Sequence, residues 1–560
     1  MSSDRPLIVQ SDFQVLLEVE HPRFEEARDR LLVFAQLEKA PEHVHTWRIA
    51  PLTIWNACSA GATADSLITS LKELSRYEVP EVVEREMREW AERFGRVELV
   101  RVDGELRLRT DTPFLAEQLL RRDSVARLLG VRRSEREFEL PLAVRGRIKQ
   151  TLVKSGFPAH DLAGYAAGTP LAVELRSERF SLRDYQAEAA TRFHSGGTER
   201  GGSGVIVLPC GAGKTVVGLA ALARIGASTL ILTTSTTAVR QWIAEILDKT
   251  TLSADQVGEY TGDRKALRPV TVTTYQVLTW RPSKIDAFPH LAVFDEQNWG
   301  LIVYDEVHTL PAPVFQATAG LQARRRLGLT ATLLREDGRE DDVFALIGPK
   351  VHDVPWRVLE SQGWIAKARC TEIRLPLPIE DAVRYDASEE RDRFRIAAEN
   401  PAKTELVARI LARHPDESGL IIGVYVDQMT RLARELGIPL ISGGTAQRKR
   451  DELYAALRSG RLRTLAVTKI ANYAVDLPDA SLAIQVSGTF GSRQEEAQRL
   501  GRILRPKRGS NQAHFYTLVS KDTTEQQFAL ARQRFLCEQG YAYRIADYAD
   551  ADDAIGPNPV

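Results

Sequence analysis

Leu208-Pro209-Cys210-Gly211-Ala212-Gly213-Lys214-Thr215 is the stretch on which the reading of this 560-residue chain turns. A strand-like run, Gly204 to Leu208, leads into it, and a helix-like run, Val216 to Ile225, leads out. Glycine lacks a Cβ, so the backbone can wrap closely around an anion. The helix that follows aims its free N–H groups and the positive end of its dipole at that anion. The spacing suits a phosphate-binding loop, with Lys214 reaching terminal phosphates and the Thr215 hydroxyl available to Mg²⁺. Leu208 stands where such loops usually have their first glycine, but the Gly-x-Gly-Lys-Thr core is intact.

Outward from this loop, short apolar runs alternate with helix-like stretches. The runs are Gly204–Leu208, Thr229–Thr234, Val270–Thr274, Leu301–Tyr304 and Leu327–Thr330. β-branched residues and leucine dominate them, as in buried parallel strands. The same grammar restarts at Leu420–Val424 and continues through Pro439–Ser442, Thr464–Thr468, Leu482–Val486 and His514–Leu518. The expectation is two tandem doubly wound α/β domains, 176–355 and 406–546, joined by a segment at 356–405. Residues 1–175 form an α+β region of a different kind. Ser66–Tyr77 and Pro80–Phe94 have helical periodicity, and Val102-Asp103-Gly104 predicts a hairpin turn. Helices before a hairpin are compatible with a winged-helix-like fold. His43 and His45 read as plain strand residues, and 547–560 reads as a flexible tail.

Composition narrows the class. Lys plus Arg equals Asp plus Glu at 75 each, so any nucleic-acid contact must come from local basic clusters. Cys58, Cys210, Cys370 and Cys537 lie far apart, which speaks against a zinc site or a disulfide framework. Without a leading apolar segment or a bilayer-length apolar run, the expectation is a cytoplasmic protein with no membrane partner.

Ile302-Val303-Tyr304-Asp305-Glu306-Val307-His308 has the character of a buried strand ending in two acids. Ligands of open α/β sheets sit at strand C-termini, so Asp305 can anchor Mg²⁺ and Glu306 can orient an attacking water. In the second domain, Gln498-Arg499-Leu500-Gly501-Arg502-Ile503-Leu504-Arg505 is either a basic helix face or a set whose Arg502 and Arg505 reach across the cleft to a γ-phosphate. Arginines so placed stabilise transition-state charge, and the nucleotide then closes the two domains on each other.

In order, Leu182-Arg183-Asp184-Tyr185-Gln186, Gly211–Thr215, Asp305-Glu306-Val307-His308, Thr330-Ala331-Thr332 and Gln498–Arg505 resemble a superfamily-two helicase. Three further elements resemble the XPB family within it: Arg335-Glu336-Asp337, Phe490–Gln498, and Arg532–Leu536 with Gln539-Gly540-Tyr541. The likeness is strong over about residues 180–545; the N-terminal third, around His43–Asn56, resembles bacterial members more weakly. It implies two RecA-like domains, ATP and Mg²⁺ as cofactors, DNA with a single-stranded tail as substrate, three-prime to five-prime movement and a role in repair near the nucleoid. It also implies residue roles. Arg183 and Gln186, with Pro209, Cys210, Gly211, Ala212, Gly213, Lys214 and Thr215, would hold the nucleotide, Gln186 by the adenine edge. Thr215 and Asp305 would hold the metal, and Gln498 would join the catalytic set. Thr234, Thr274, Ser442, Thr468 and Lys469 would contact phosphates of one strand. Thr330 and Thr332 would couple the two sites, and Arg335, Glu336 and Asp337 would help open the duplex. The segment 365–400, where the family has its helical thumb, is short, and Asn472–Pro478 is less polar than the family pattern. Two other readings remain: an RNA-remodelling ATPase, and a nucleotide-gated scaffold that recruits a nuclease. Because no nucleotide motif precedes Leu182, residues 1–175 are expected to supply substrate choice through Arg101, Arg107 and Arg109, and a chain starting near Val173 is expected to fold.

Overall fold

The computed structural model describes residues 4–39, 43–198, 201–209, 211–283, 288–321, 324–331, 339–354, 359–360, 362–364, 366–468, 480–487, 512–538 and 542–555. Runs of aliphatic and β-branched residues become strands buried on both faces. All five residues of Thr229–Thr233 and of Val270–Thr274 are buried, as befits a parallel sheet covered by helices.

Four sheets organise the chain. β1 (Leu7–Val9), β2 (Gln14–Glu18), β3 (Ala35–Lys39) and β4 (Val44–Ile49) form an antiparallel sheet in the order β1-β2-β4-β3. β5 (Val97–Val102), β6 (Glu105–Thr110), β7 (Glu137–Leu140) and β8 (Ala159–Asp161) form a second sheet in the order β7-β6-β5-β8. The first large sheet holds β9 (Ser203–Val207), β10 (Thr229–Thr233), β11 (Val257–Tyr260), β12 (Val270–Thr274), β13 (Leu301–Asp305), β14 (Arg325–Thr330) and β15 (Lys350–Asp353). They are all parallel, in the order β11-β12-β10-β13-β14-β9-β15. The second large sheet holds β16 (Lys367–Leu375), β17 (Gly419–Gly423), β18 (Leu440–Ile441), β19 (Thr464–Thr468), β20 (Leu482–Gln485), β21 (Gln512–Ser520) and β22 (Ala542–Asp547). It too is parallel, in the order β18-β19-β17-β20-β21-β16-β22. The two doubly wound α/β units expected from the alternating pattern are therefore present.

Several local expectations need correction. β16 lies inside the stretch read as a connector, yet it pairs with β21 on one side and β22 on the other. The second sheet thus begins well before residue 406. The hairpin is present, with Asp103 and Gly104 both at positive φ (52° and 82°) in a two-residue turn. It belongs to a four-stranded sheet, however, which is larger than the wing of a winged helix. The tail does not fray at Tyr548. A helix at Ala551–Ala554 buries Ala551, and Ile555 joins the core of the second large sheet. The aspartates around these apolar residues concealed that contact in the sequence.

Residues 1–175 are bound into both α/β units. Trp55 and Val153 join a buried cluster with Val205, Leu230, Ile302 and Tyr304 of the first large sheet. A Cβ on Gly146 would meet Ala319 O at 2.4 Å, so only glycine allows that approach. Cys537, on the helix Thr524–Glu538, packs in the core of the N-terminal sheet. Truncation near Val173 would strip apolar cover from the first sheet. It is expected to give loss of the cooperative melt by circular dichroism, contrary to the expectation that such a chain folds. Of the three arginines expected to supply substrate choice, Arg101 is exposed, and Arg107 and Arg109 are paired within their own sheet, Arg109 to Glu137 at 2.7 Å and Arg107 to Glu105 at 3.1 Å.

At the same junction, charges are fully enclosed. Asp161 accepts from Arg145 (2.7 Å) and Lys149 (3.0 Å), and the buried Arg326 of the first large sheet lies beside them. Burial pulls the Lys149 ammonium down to about 8, while Lys149 and Arg145, against the cost of burial, hold Asp161 well below the usual carboxylate range. A depressed carboxyl contributes stability above its unfolded value, and that stability is lost as pH falls through the folded one. Asp161→Asn leaves buried cations without a counter-charge, a loss on the order of 3–5 kcal/mol. Its thermal midpoint at pH 7 is expected to fall by about 2–4 °C; an unchanged midpoint would contradict this account of the junction.

Candidate nucleotide site

β9 delivers the chain to the loop at the C-terminal rim of the first large sheet. Leu208 is fully buried and donates its N–H to Thr330 O (2.9 Å), which explains an apolar residue where phosphate loops usually have glycine. Gly211 and Gly213 both sit at φ +81°. A Cβ on Gly213 would also meet Gln186 Nε2 at 2.5 Å and displace that amide, so the positive φ is what demands glycine there. The helix Lys214–Ile225 starts directly after, with Thr215 half-buried in its first turn. This is the cradle that a polyphosphate fits: positive-φ glycines, a helix N-terminus and a lysine.

Two strands along the sheet, β13 ends in Asp305, followed by Glu306. Glu306 takes left-handed backbone angles (φ 50°, ψ 52°), unusual for a residue with a side chain and costly by on the order of 1 kcal/mol. Its Oε1 meets Lys214 Nζ at 2.5 Å. Asp305 is held by Trp242 Nε1 (2.9 Å to Oδ2), and Tyr275 donates its hydroxyl to Asp305 O (2.9 Å). Burial, with the Glu306 charge added, lifts the Asp305 carboxyl to about 6. Against its own burial, Glu306 is held low by Lys214 and then His308. Two adjacent acids beside one lysine, with one of them lifted, form a donor set that a divalent cation would relieve, and Thr215 and Asp305 could hold it. His308 Nδ1 lies 2.7 Å from Thr330 Oγ1 and 3.6 Å from Glu306 Oε2, linking β13 to β14.

Gln186 lies on the helix Asp184–His194 against the loop. Its Nε2 donates to Ala212 O (3.0 Å), and its Oε1 accepts from Arg183 N (3.1 Å). Tyr185 donates to the same carbonyl (2.8 Å). The amide expected to face adenine therefore braces the phosphate loop. Arg183 lies over the Trp364 ring, 4.2 Å from its centroid.

The small hydroxyl residues collect at strand C-termini. Thr234 follows β10, Thr274 ends β12, Thr330 ends β14, Ser442 follows β18 and Thr468 ends β19. Thr274 is buried, and its hydroxyl caps the helix Tyr275–Leu278 by accepting from Val277 N (3.1 Å), so its local role is structural. Cys210, Thr332, Arg335, Glu336, Asp337, Lys469, Gln498, Arg502 and Arg505 lie outside the described residues. No local pattern marks Trp242, a lone tryptophan on an amphipathic helix, as part of the site. Tyr185 and Tyr275 sat inside quoted motifs without a role.

A phosphate loop and a strand-end acid pair on one rim, with a second parallel sheet repeating the architecture, define a P-loop ATPase with two RecA-like domains. Residues 359–555 match the ERCC3/RAD25/XPB C-terminal helicase model, 179–335 the type III restriction enzyme res subunit model, and 7–134 a helicase conserved C-terminal domain model. The DNA 3'-5' helicase XPB of Kineococcus radiotolerans is 51% identical over 99% of this chain and 98% of its own. That of Mycobacterium tuberculosis is 50% identical over 99% of this chain and 100% of its own. The general transcription and DNA repair factor IIH helicase/translocase subunit XPB/SSL2 of Saccharomyces cerevisiae is 30% identical over 99% of this chain and 74% of its own. The chain belongs to the XPB helicase family. No helix among the described residues is long and apolar enough to cross a membrane.

Proposed function

We propose that this chain is an ATP-dependent DNA helicase and translocase, moving three-prime to five-prime and opening duplex DNA in repair. The observation that carries this is the 2.5 Å contact joining the loop lysine Lys214 to the strand-end acid Glu306, in a chain of the XPB family. Lys214 leaves Glu306 to engage phosphate, and Glu306, freed of its partner, becomes the group that orients and deprotonates water. Lys214 thus acts as a latch, keeping the base occupied until a nucleotide arrives. Thr215 and Asp305 would hold Mg²⁺, which would supply charge neutralisation at the phosphates. His308 and Thr330 carry the state of Glu306 to the adjoining strand. Arg502 and Arg505 act from the second domain with Gln498, and Thr332, Arg335, Glu336, Asp337 and Lys469 join Thr234, Ser442 and Thr468 on the DNA side.

ATPase activity measured with single-stranded DNA, with RNA and with no polymer tests this. Stimulation by DNA beyond that by RNA supports the proposal, and equal stimulation favours an RNA-remodelling ATPase. A scaffold that recruits a nuclease would bind DNA in a nucleotide-dependent way without displacing a strand.

A further inference from the structure

We propose that Trp280, backed by His290, Tyr260 and Lys265, is a platform on which a base of the bound single strand stacks; the proposal rests on the DNA-motor reading above. Tyr260 is the last residue of β11, and its pairing with Thr273 places it level with the end of β12, at the same rim as Thr274 and Thr234. From Thr274 the one-turn helix Tyr275–Leu278 carries the chain out to Trp280, whose N–H donates to Val277 O (3.2 Å). The Trp280 side chain is left 53% exposed.

This exposure is held in place. The His290 ring lies 5.8 Å from the indole, and the His290 Nδ1 is 2.9 Å from the Tyr260 hydroxyl. Lys265 Nζ lies 4.6 Å from the Tyr260 ring, and the Arg281 guanidinium lies 4.7 Å from the Phe288 ring. A half-exposed indole keeps a π-face open to a flat partner. Its neighbours say what that is. Aromatic faces among cations suit a nucleobase with its phosphates, stacking on the ring while Lys265 and Arg281 take the backbone. Glu259, 3.9 Å from Arg240 and 4.0 Å from Arg264, Glu296, whose charge reaches Tyr260, and the exposed Asp263, 3.9 Å from Arg240, are acids nearby among the described residues. They temper the local charge and make stacking the larger share of the contact. Every base has a π-face, so the platform is indifferent to sequence, as a translocating motor requires.

The test uses the full-length protein and two short oligonucleotides of equal length, one of ordinary thymidines and one of abasic sugar-phosphates. The wild type is expected to bind the base-bearing strand more tightly by about 5- to 150-fold. Trp280→Ala should collapse that ratio towards one, while Trp280→Phe, which keeps a π-face, should retain most of it. An unchanged ratio in Trp280→Ala would overturn the platform. So would equal weakening for both oligonucleotides, which would mark a loss of fold or charge. A wild type that binds neither strand would overturn the DNA-motor reading itself.

Discussion

Glu306→Gln is expected to bind ATP at least as tightly as the wild type and to hydrolyse it about 10²- to 10⁴-fold more slowly. The two effects have one origin. Glu306 is the partner of Lys214 at 2.5 Å, so it competes with phosphate for the lysine. An amide keeps the shape of the carboxylate but neither its charge nor its basicity. Lys214 is released, and the water loses its base. Lys214→Ala has the opposite signature, with weakened nucleotide binding. It also leaves Asp305 and Glu306 side by side without their lysine, which pushes protons onto the pair. Fluorescent-nucleotide titration with steady-state ATPase separates these outcomes. Near-normal turnover in Glu306→Gln would remove Glu306 from the reaction.

Arg502→Ala and Arg505→Ala are expected to cut turnover by roughly 10³- to 10⁵-fold with ATP still bound. The need is visible in the first domain. Lys214 is the one cation of the described acid pair, and charge developing on a transferred phosphoryl group exceeds what a single lysine neutralises. β20 ends at Gln485 at the C-terminal rim of the second large sheet, the rim where ligands of open α/β sheets gather, and both arginines come after it in sequence, outside the described residues. Single-turnover hydrolysis beside nucleotide affinity decides the role. A collapse of affinity with normal hydrolysis per bound ATP would make these arginines binding residues rather than transition-state stabilisers.

Motif spacing made the phosphate loop, the acid pair and the two α/β units legible, because phosphate binding and buried parallel strands restrict residue choice strongly. The strands that escaped notice are those whose burial is not written in their composition. β16, Lys-Ala-Arg-Cys-Thr-Glu-Ile-Arg-Leu, alternates charge with apolarity like a half-exposed strand, yet it is paired on both edges. Its Glu372 is accommodated by Arg374 at 2.8 Å and Tyr543 at 2.6 Å. β15, Lys-Val-His-Asp, is short and polar and is defined by its neighbour β9 rather than by periodicity. The second sphere of the site was hidden for a similar reason. Trp242 meets Asp305 from a helix 63 residues away in sequence, and no local pattern distinguishes it from a core tryptophan. The packing of residues 1–175 on the motor depends on single close contacts such as Gly146 against Ala319, which spacing cannot reveal.

Strand displacement on tailed duplexes, with ATP and Mg²⁺, tests the central claim most directly. The account predicts release of the displaced strand from a duplex with a three-prime single-stranded tail, far less from one with a five-prime tail, and none with Glu306→Gln. Tight, nucleotide-dependent DNA binding without displacement from either substrate would contradict it.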